Sequence, residues 1–153
     1  MPPTTITVGE LLYEATFQFT KVTEYGVSLE ALLAGQVAPP PEGARFDVAF
    51  EGSFRGPRLK GTAIGVDYLQ MRSDGRTELH VHAEMTTEDG EKIALFVDGV
   101  ITPEEGTGVL QIRENATLST SSPAYSWVNQ LQAWGQGSVD PAKGEINVKG
   151  YAA

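Results

Sequence analysis

The chain has 153 residues, the length of one ordinary domain, enough to bury a core without metal or disulfide staples. Its 11 basic residues against 20 acidic ones give a formal charge of −9, which repels phosphate backbones and anionic membrane surfaces and speaks against nucleic acid or membrane as a partner. There is no cysteine, so disulfides, thiolate metal sites and cysteine nucleophiles are excluded by composition.

The opening residues Met1-Pro2-Pro3-Thr4-Thr5 carry neither a basic stretch nor an apolar run, so no secretory signal or membrane span is expected and the location is predicted as cytoplasmic. Beyond them, apolar and polar residues alternate in about eight short runs separated by Gly, Pro, Asp and Ser, which is strand spacing. In the first run, Leu11 to Phe19, the residues Leu11, Tyr13, Ala15, Phe17 and Phe19 share a face because side chains alternate along a strand. The segment Val27 to Gly35 reads as one short helix, with Ser28 placed to cap its start and Gly35 its end, covering a barrel end. Pro39-Pro40-Pro41-Glu42-Gly43 then enforces a loop, since proline has no amide hydrogen for helix or ladder.

From Phe46 the strands follow almost without pause: Phe46 to Arg55, Leu59 to Arg72, Thr77 to Thr87, Ile93 to Thr102, Gly108 to Ser119, Gln130 to Ser138 and Glu145 to Tyr151. Gaps too short for crossover helices predict an antiparallel meander that closes on itself to remove its edges. The predicted fold is therefore all-β, one domain over 1–153: an eight-stranded, up-and-down antiparallel barrel with one short helix at an end. Before strand Gln130 to Ser138, the segment Tyr125-Ser126-Trp127-Val128-Asn129 is predicted as a helical turn anchoring Trp127.

Two glycine turns fix the register. Ser73-Asp74-Gly75, read as a three-residue loop, pairs Arg72 with Arg76, Leu69 with Leu79 and Asp67 with Val81. Glu88-Asp89-Gly90 likewise pairs Met85 with Ile93, Ala83 with Leu95 and His80 with Asp98. Two-residue Asp-Gly turns are the alternative, but they mix the faces, whereas this register puts Leu69, Met71, Leu79, Val81, Ala83 and Met85 together and sends His80, His82 and Glu84 to the opposite side.

Two residues break the apolar face. Asp67 falls on it, and Glu114 stands in the series Leu110, Ile112, Glu114, Ala116, Leu118. An unpaired inward carboxylate costs several kcal/mol, of the order expected for a buried charge, or its pKa rises until it turns neutral. With the phenol of Tyr13 also inward, these groups form a polar spot in an apolar lumen, the usual form of a small-molecule site. The competing reading has a bulge at Gly65 turning Asp67 outward and Glu114 at a wet rim. His80 and His82, two apart on a strand with Glu84 and Asp98 nearby, share a face and are residue types that bind zinc or iron, but a third ligand is not evident. A surface histidine pair with His80 bonded to Asp98 is the plainer interpretation. No phosphate loop, nucleophile elbow or helical zinc motif occurs, and neither cofactor nor metal is predicted.

The segments Gly52-Ser53-Phe54-Arg55-Gly56-Pro57-Arg58-Leu59-Lys60-Gly61, Gly65-Val66-Asp67-Tyr68, Arg72-Ser73-Asp74-Gly75, Thr77-Glu78-Leu79, Thr87-Glu88-Asp89-Gly90, Gly99 and Tyr125 to Asn129 resemble an uncharacterised bacterial family, domain-of-unknown-function family 3237, from about Pro41 to the C-terminus. The resemblance implies a calycin-like or allene-oxide-cyclase-like barrel that assembles as a homo-oligomer, dimer to tetramer, and it implies no settled activity. Relatives often carry aspartate and arginine where this chain has His80 and His82, and arginine at Asp98. Arg113 matches an arginine common in its strand, which makes it a candidate anion anchor.

Two functions are carried forward. One is an enzyme without cofactor, an isomerase, cyclase, hydratase or lactone hydrolase acting on a small, largely apolar metabolite. Its acid and base are Asp67 and Glu114, its proton or hydrogen-bond donor Tyr13, and its substrate contacts Arg113, Phe17, Phe50, Met71 and Trp134. The other is a non-catalytic ligand-binding or structural barrel, its lumen filled by aromatic rings. A cavity reaching Asp67 favours the first; a solid lumen favours the second.

Overall fold

The computed structural model describes residues 7–153; the opening segment Met1 to Thr5, in which no signal is expected, lies outside the described residues. Eight strands run in chain order β1 (Leu11–Glu24), β2 (Ala44–Arg55), β3 (Lys60–Met71), β4 (Thr77–Thr87), β5 (Lys92–Pro103), β6 (Leu110–Ser119), β7 (Ala133–Asp140) and β8 (Glu145–Ala152). Each pairs antiparallel with the next and β8 returns to β1, closing the barrel. Closure leaves no unpaired strand edge in the sheet.

Both turns form as the register requires. Arg72 donates its N–H to the Arg76 carbonyl at 2.8 Å around Gly75, which sits at φ 89°, a backbone region that side chains with a Cβ avoid. Gly90 repeats the arrangement at φ 89°, and the pairs Asp67 with Val81, Met85 with Ile93, Ala83 with Leu95 and His80 with Asp98 all occur. One expected pair is missing, because the β3–β4 pairing skips Tyr68 and Leu69.

Three further expectations are corrected. β1 continues past Phe19 to Glu24, since a register shift between Phe19 and Lys21 lets it keep pairing with β2. A second shift, between Leu11 and Tyr13 on the β8 side, makes Leu12 rather than Leu11 the buried residue at the strand's start. The helical turn before β7 is longer than expected, a 3-10 helix over Pro123–Gln130 that buries Val128 fully and leaves Trp127 half-buried, so the strand begins at Ala133 rather than Gln130.

The short helix α1 (Leu29–Leu33) has Ser28 at its start, whose hydroxyl accepts the Ala31 N–H at 3.1 Å. Its cap is Ala34, and Gly35 follows at φ 72°. Leu29 and Leu33 close the barrel end beside Phe19, Leu69 and Met71. The opposite end is closed by the 3-10 helix, where the Arg58 guanidinium lies 3.7 Å over the Trp127 ring and also pairs with Glu10. There Tyr125 donates to Asp89 at 2.8 Å, and Thr87 donates to the same carboxylate at 2.5 Å. Between the two ends, inward residues such as Phe46, Leu79, Met85 and Ile93 are fully buried.

Candidate functional site

The lumen holds two small voids. One, of about 60 Å³, is lined by Tyr13, Phe17, Phe50, Asp67, Glu114 and a surround of apolar side chains. The other, of about 50 Å³ toward the α1 end, is lined by Phe19, Met71 and Leu110 among others. Asp67, Ile101, Val139 and Ile146 border both, so Asp67 sits at the waist between them. The sequence-derived inward positions of Tyr13, Phe17, Phe50, Asp67, Met71 and Glu114 are those observed, and no bulge turns Asp67 outward.

The electrostatics follow from the apolar surround. Burial, with the charge of Asp67 added, pushes the Glu114 carboxyl up to about 8. Burial also raises Asp67, to about 6, and it is held there by the His80 N–H, which donates to its Oδ1 at 2.9 Å, and by the nearby His80 side chain. Tyr13 is raised too, by burial and then by Glu114. Near pH 7 Glu114 is therefore neutral and Asp67 ionised, an acid and a base set apart by their surroundings.

Three glycines seat these groups, of which the sequence reading names only Gly99, as part of the family resemblance. Cross-strand pairing runs Tyr13, Gly150, Gly135, Glu114, Gly99 in one row. A Cβ on Gly150 would stand 2.4 Å from Tyr13 Cζ, one on Gly135 would stand 2.7 Å from Glu114 Cγ, and one on Gly99 would stand 2.8 Å from Glu114 Cβ. Their inward positions were readable from the alternation; their partners were not.

Arg113 and Trp134 are corrected. Each neighbours inward residues in its strand and must face out. Arg113 is exposed and donates to the Ile112 carbonyl at 2.8 Å; Trp134 is 44% exposed. Together with Asp98, Asn115 and Tyr151 they line a shallow outer groove of about 680 Å³. Neither reaches the lumenal void. His80 and His82 also face out: His80 Nδ1 lies 2.8 Å from Asp98, and His82 stands edge-on between Tyr68 and Phe96, with ring centroids 5.7 and 5.0 Å away. Among the described residues no three His, Asp or Glu side chains gather as a metal site. No helix among them is long and apolar enough to cross a membrane.

Fold and lumen together define an up-and-down β-barrel with two carboxyl groups and a phenol inside. The chain belongs to the family described as a protein of unknown function, DUF3237, whose pattern it matches over residues 27–152. It is similar to a curated hydroalkoxylation enzyme of Penicillium herquei, 34% identical over 101 residues, covering 65% of this chain and 59% of that protein. The barrel is shared with solved structures. A β-barrel-like protein of Acinetobacter baumannii has a TM-score of 0.73 at 23% identity, covering 99% of this chain and 98% of the other. A protein of unknown function from Clostridium acetobutylicum has a TM-score of 0.76 at 22% identity, covering 94% and 97%. An enzyme from Penicillium herquei has a TM-score of 0.64 at 18% identity, covering 98% and 99%.

Proposed function

We propose that the barrel is a cofactor-independent enzyme that moves protons on a small, largely apolar metabolite, with Glu114 as general acid and Asp67 as general base. The observation that carries it is the pair of carboxyl groups lining one lumenal void, poised near 8 and near 6. Groups with pKa values on either side of neutrality exchange protons readily, and a dry surround strengthens their effect on developing charge.

The reaction class is addition of an O–H across a carbon–carbon double bond, or its reversal. Glu114 gives its proton to carbon, the substrate hydroxyl forms the new C–O bond, and Asp67 takes the hydroxyl proton. Proton exchange with water then resets the pair. Within one molecule this is a cyclisation that needs no co-reactant. The similarity to a protein named as a hydroalkoxylation enzyme supports this class, since hydroalkoxylation is such an addition.

The test is a screen of small unsaturated alcohols, phenols and enones for mass-neutral isomerisation, run in deuterated water to mark carbon protonation. Turnover should fall at least about 100-fold in Glu114→Gln and Asp67→Asn, the usual loss on removing a general acid or base. If carboxyl-carbon NMR shows both groups titrating near their ordinary values, the acid–base pair does not exist. A second reading, a binding or structural barrel without turnover, draws on the small volume of the voids. Oligomerisation, dimer to tetramer, is proposed on the family resemblance, and sedimentation velocity decides it.

A further inference from the structure

The Tyr13 hydroxyl is buried and has no hydrogen-bond partner among the described residues. It borders the same void as Asp67 and Glu114, and Gly150 is kept clear beneath its ring. A buried hydroxyl without a partner is unfavourable, and where one lines a cavity the geometry asks what it donates to. Glu114 is seated by Gly135 in the same cross-strand row, so the barrel gives up two inward side chains, at 150 and 135, to hold these two donors.

The rest of the wall selects by charge and size. No Lys, Arg or His side chain among the described residues lines either void; the remaining lining is apolar except for Asp67 and, at the α1 end, Thr77. An anionic ligand would meet a carboxylate in a low-dielectric surround with no cation to offset it. Arg113, the candidate anion anchor, lies on the outer surface. In size, a void of about 60 Å³ is well below the roughly 150 Å³ of an apolar cavity that holds benzene.

We propose that the lumen takes an uncharged oxygen-bearing group, a carbonyl or hydroxyl on a compact apolar body of about three heavy atoms in all, whose oxygen accepts the Tyr13 hydroxyl. The group is a free ligand or the reacting end of a larger one. Carboxylates and phosphates are rejected. The inference rests on the lumenal site of the proposed function but not on turnover: it requires Tyr13 and the cavity, and it stands even if Asp67 and Glu114 transfer no proton.

The experiment uses the intact protein with methyl-labelled Leu and Met, titrated at pH 7 with ethanol and with formate, two probes of equal heavy-atom count, one neutral and one anionic. Ethanol should shift the lumenal Leu79 and Met85 methyl signals saturably, and formate should leave them in place at the same concentrations. In Tyr13→Phe the ethanol affinity should fall about five-fold, the scale of one hydrogen bond. Thermal unfolding of the same variant confirms that it is folded. Formate binding as tightly as ethanol, ethanol affinity unchanged in Tyr13→Phe, or no shift with either probe overturns the inference. If ethanol binds as expected while both carboxyls titrate normally, the catalytic reading fails and this one survives.

Discussion

Asp67 takes over a backbone partner of its neighbouring strand: its Oδ1 accepts the N–H of His80 at 2.9 Å, at the place where the β3–β4 pairing skips Tyr68 and Leu69. The same His80 turns its side chain outward to Asp98, 2.8 Å away. One residue thus supports the lumenal carboxylate with its main chain and an outer carboxylate with its ring. The main-chain bond stabilises the ionised form of Asp67 and opposes the rise that burial imposes.

Because both lumenal carboxyls have raised pKa values, the folded protein binds protons that the unfolded chain has already released. Their contribution to stability is greatest at low pH and falls as pH rises, between about 4 and 6 for Asp67 and between about 4.5 and 8 for Glu114. For Asp67 the full loss is on the order of 3 kcal/mol. Urea unfolding at pH 5, 6.5 and 8 should therefore show the wild type losing stability relative to Asp67→Asn and Glu114→Gln as pH increases. Parallel profiles would mean that neither carboxyl is buried.

Tyr13→Phe removes a buried hydroxyl with no partner among the described residues and leaves the ring on Gly150. We expect the ligand-free variant to be as stable as the wild type or more stable by up to about 1 kcal/mol. A loss of more than that on denaturant unfolding would show that the hydroxyl makes a stabilising bond.

Gly150→Ala places a methyl against the Tyr13 ring, the nearest atom at 2.4 Å. The expected loss is about 2–3 kcal/mol, the range for overpacking. In a Tyr13→Ala background the same change should cost much less, because all three atoms nearest the new methyl belong to Tyr13. Equal losses in the two backgrounds would place the strain in the backbone instead.

At the closed end, Arg58→Lys keeps a positive charge near Glu10 but removes the planar guanidinium from the Trp127 ring. A loss of about 1 kcal/mol is expected, with a changed emission from Trp127 that Trp134, on the outer wall, does not share. Unchanged fluorescence would mean that the stacked geometry does not persist in solution.

Much of this was legible in the sequence for definite reasons. Alternation fixed which residues face in, and the glycines at 75 and 90 pinned two registers, so Asp67 and Glu114 stood out as charges on an apolar face. What escaped was three-dimensional. Bulges shifted β1 and moved burial from Leu11 to Leu12, and the cover that Arg58 lays over the Trp127 indole, beside the fully buried Val128, joins segments far apart in the chain. Arg113 was credited with a lumenal task on resemblance although its own strand period turned it outward. The seating of Tyr13 and Glu114 on Gly150 and Gly135 depends on strands distant in the chain, and only closure of the barrel brings them side by side.

Three of the segments that carry the family likeness, 52–61, 87–90 and 125–129, meet at one end of the barrel, where Arg58 covers Trp127 and Tyr125 holds Asp89. They form a stopper rather than a reaction vessel. The vessel is furnished from elsewhere in the chain: Asp67 comes from another segment of that likeness, and Tyr13 and Glu114 from outside it, so the chemistry of this barrel is to be sought in the few side chains that point down the bore.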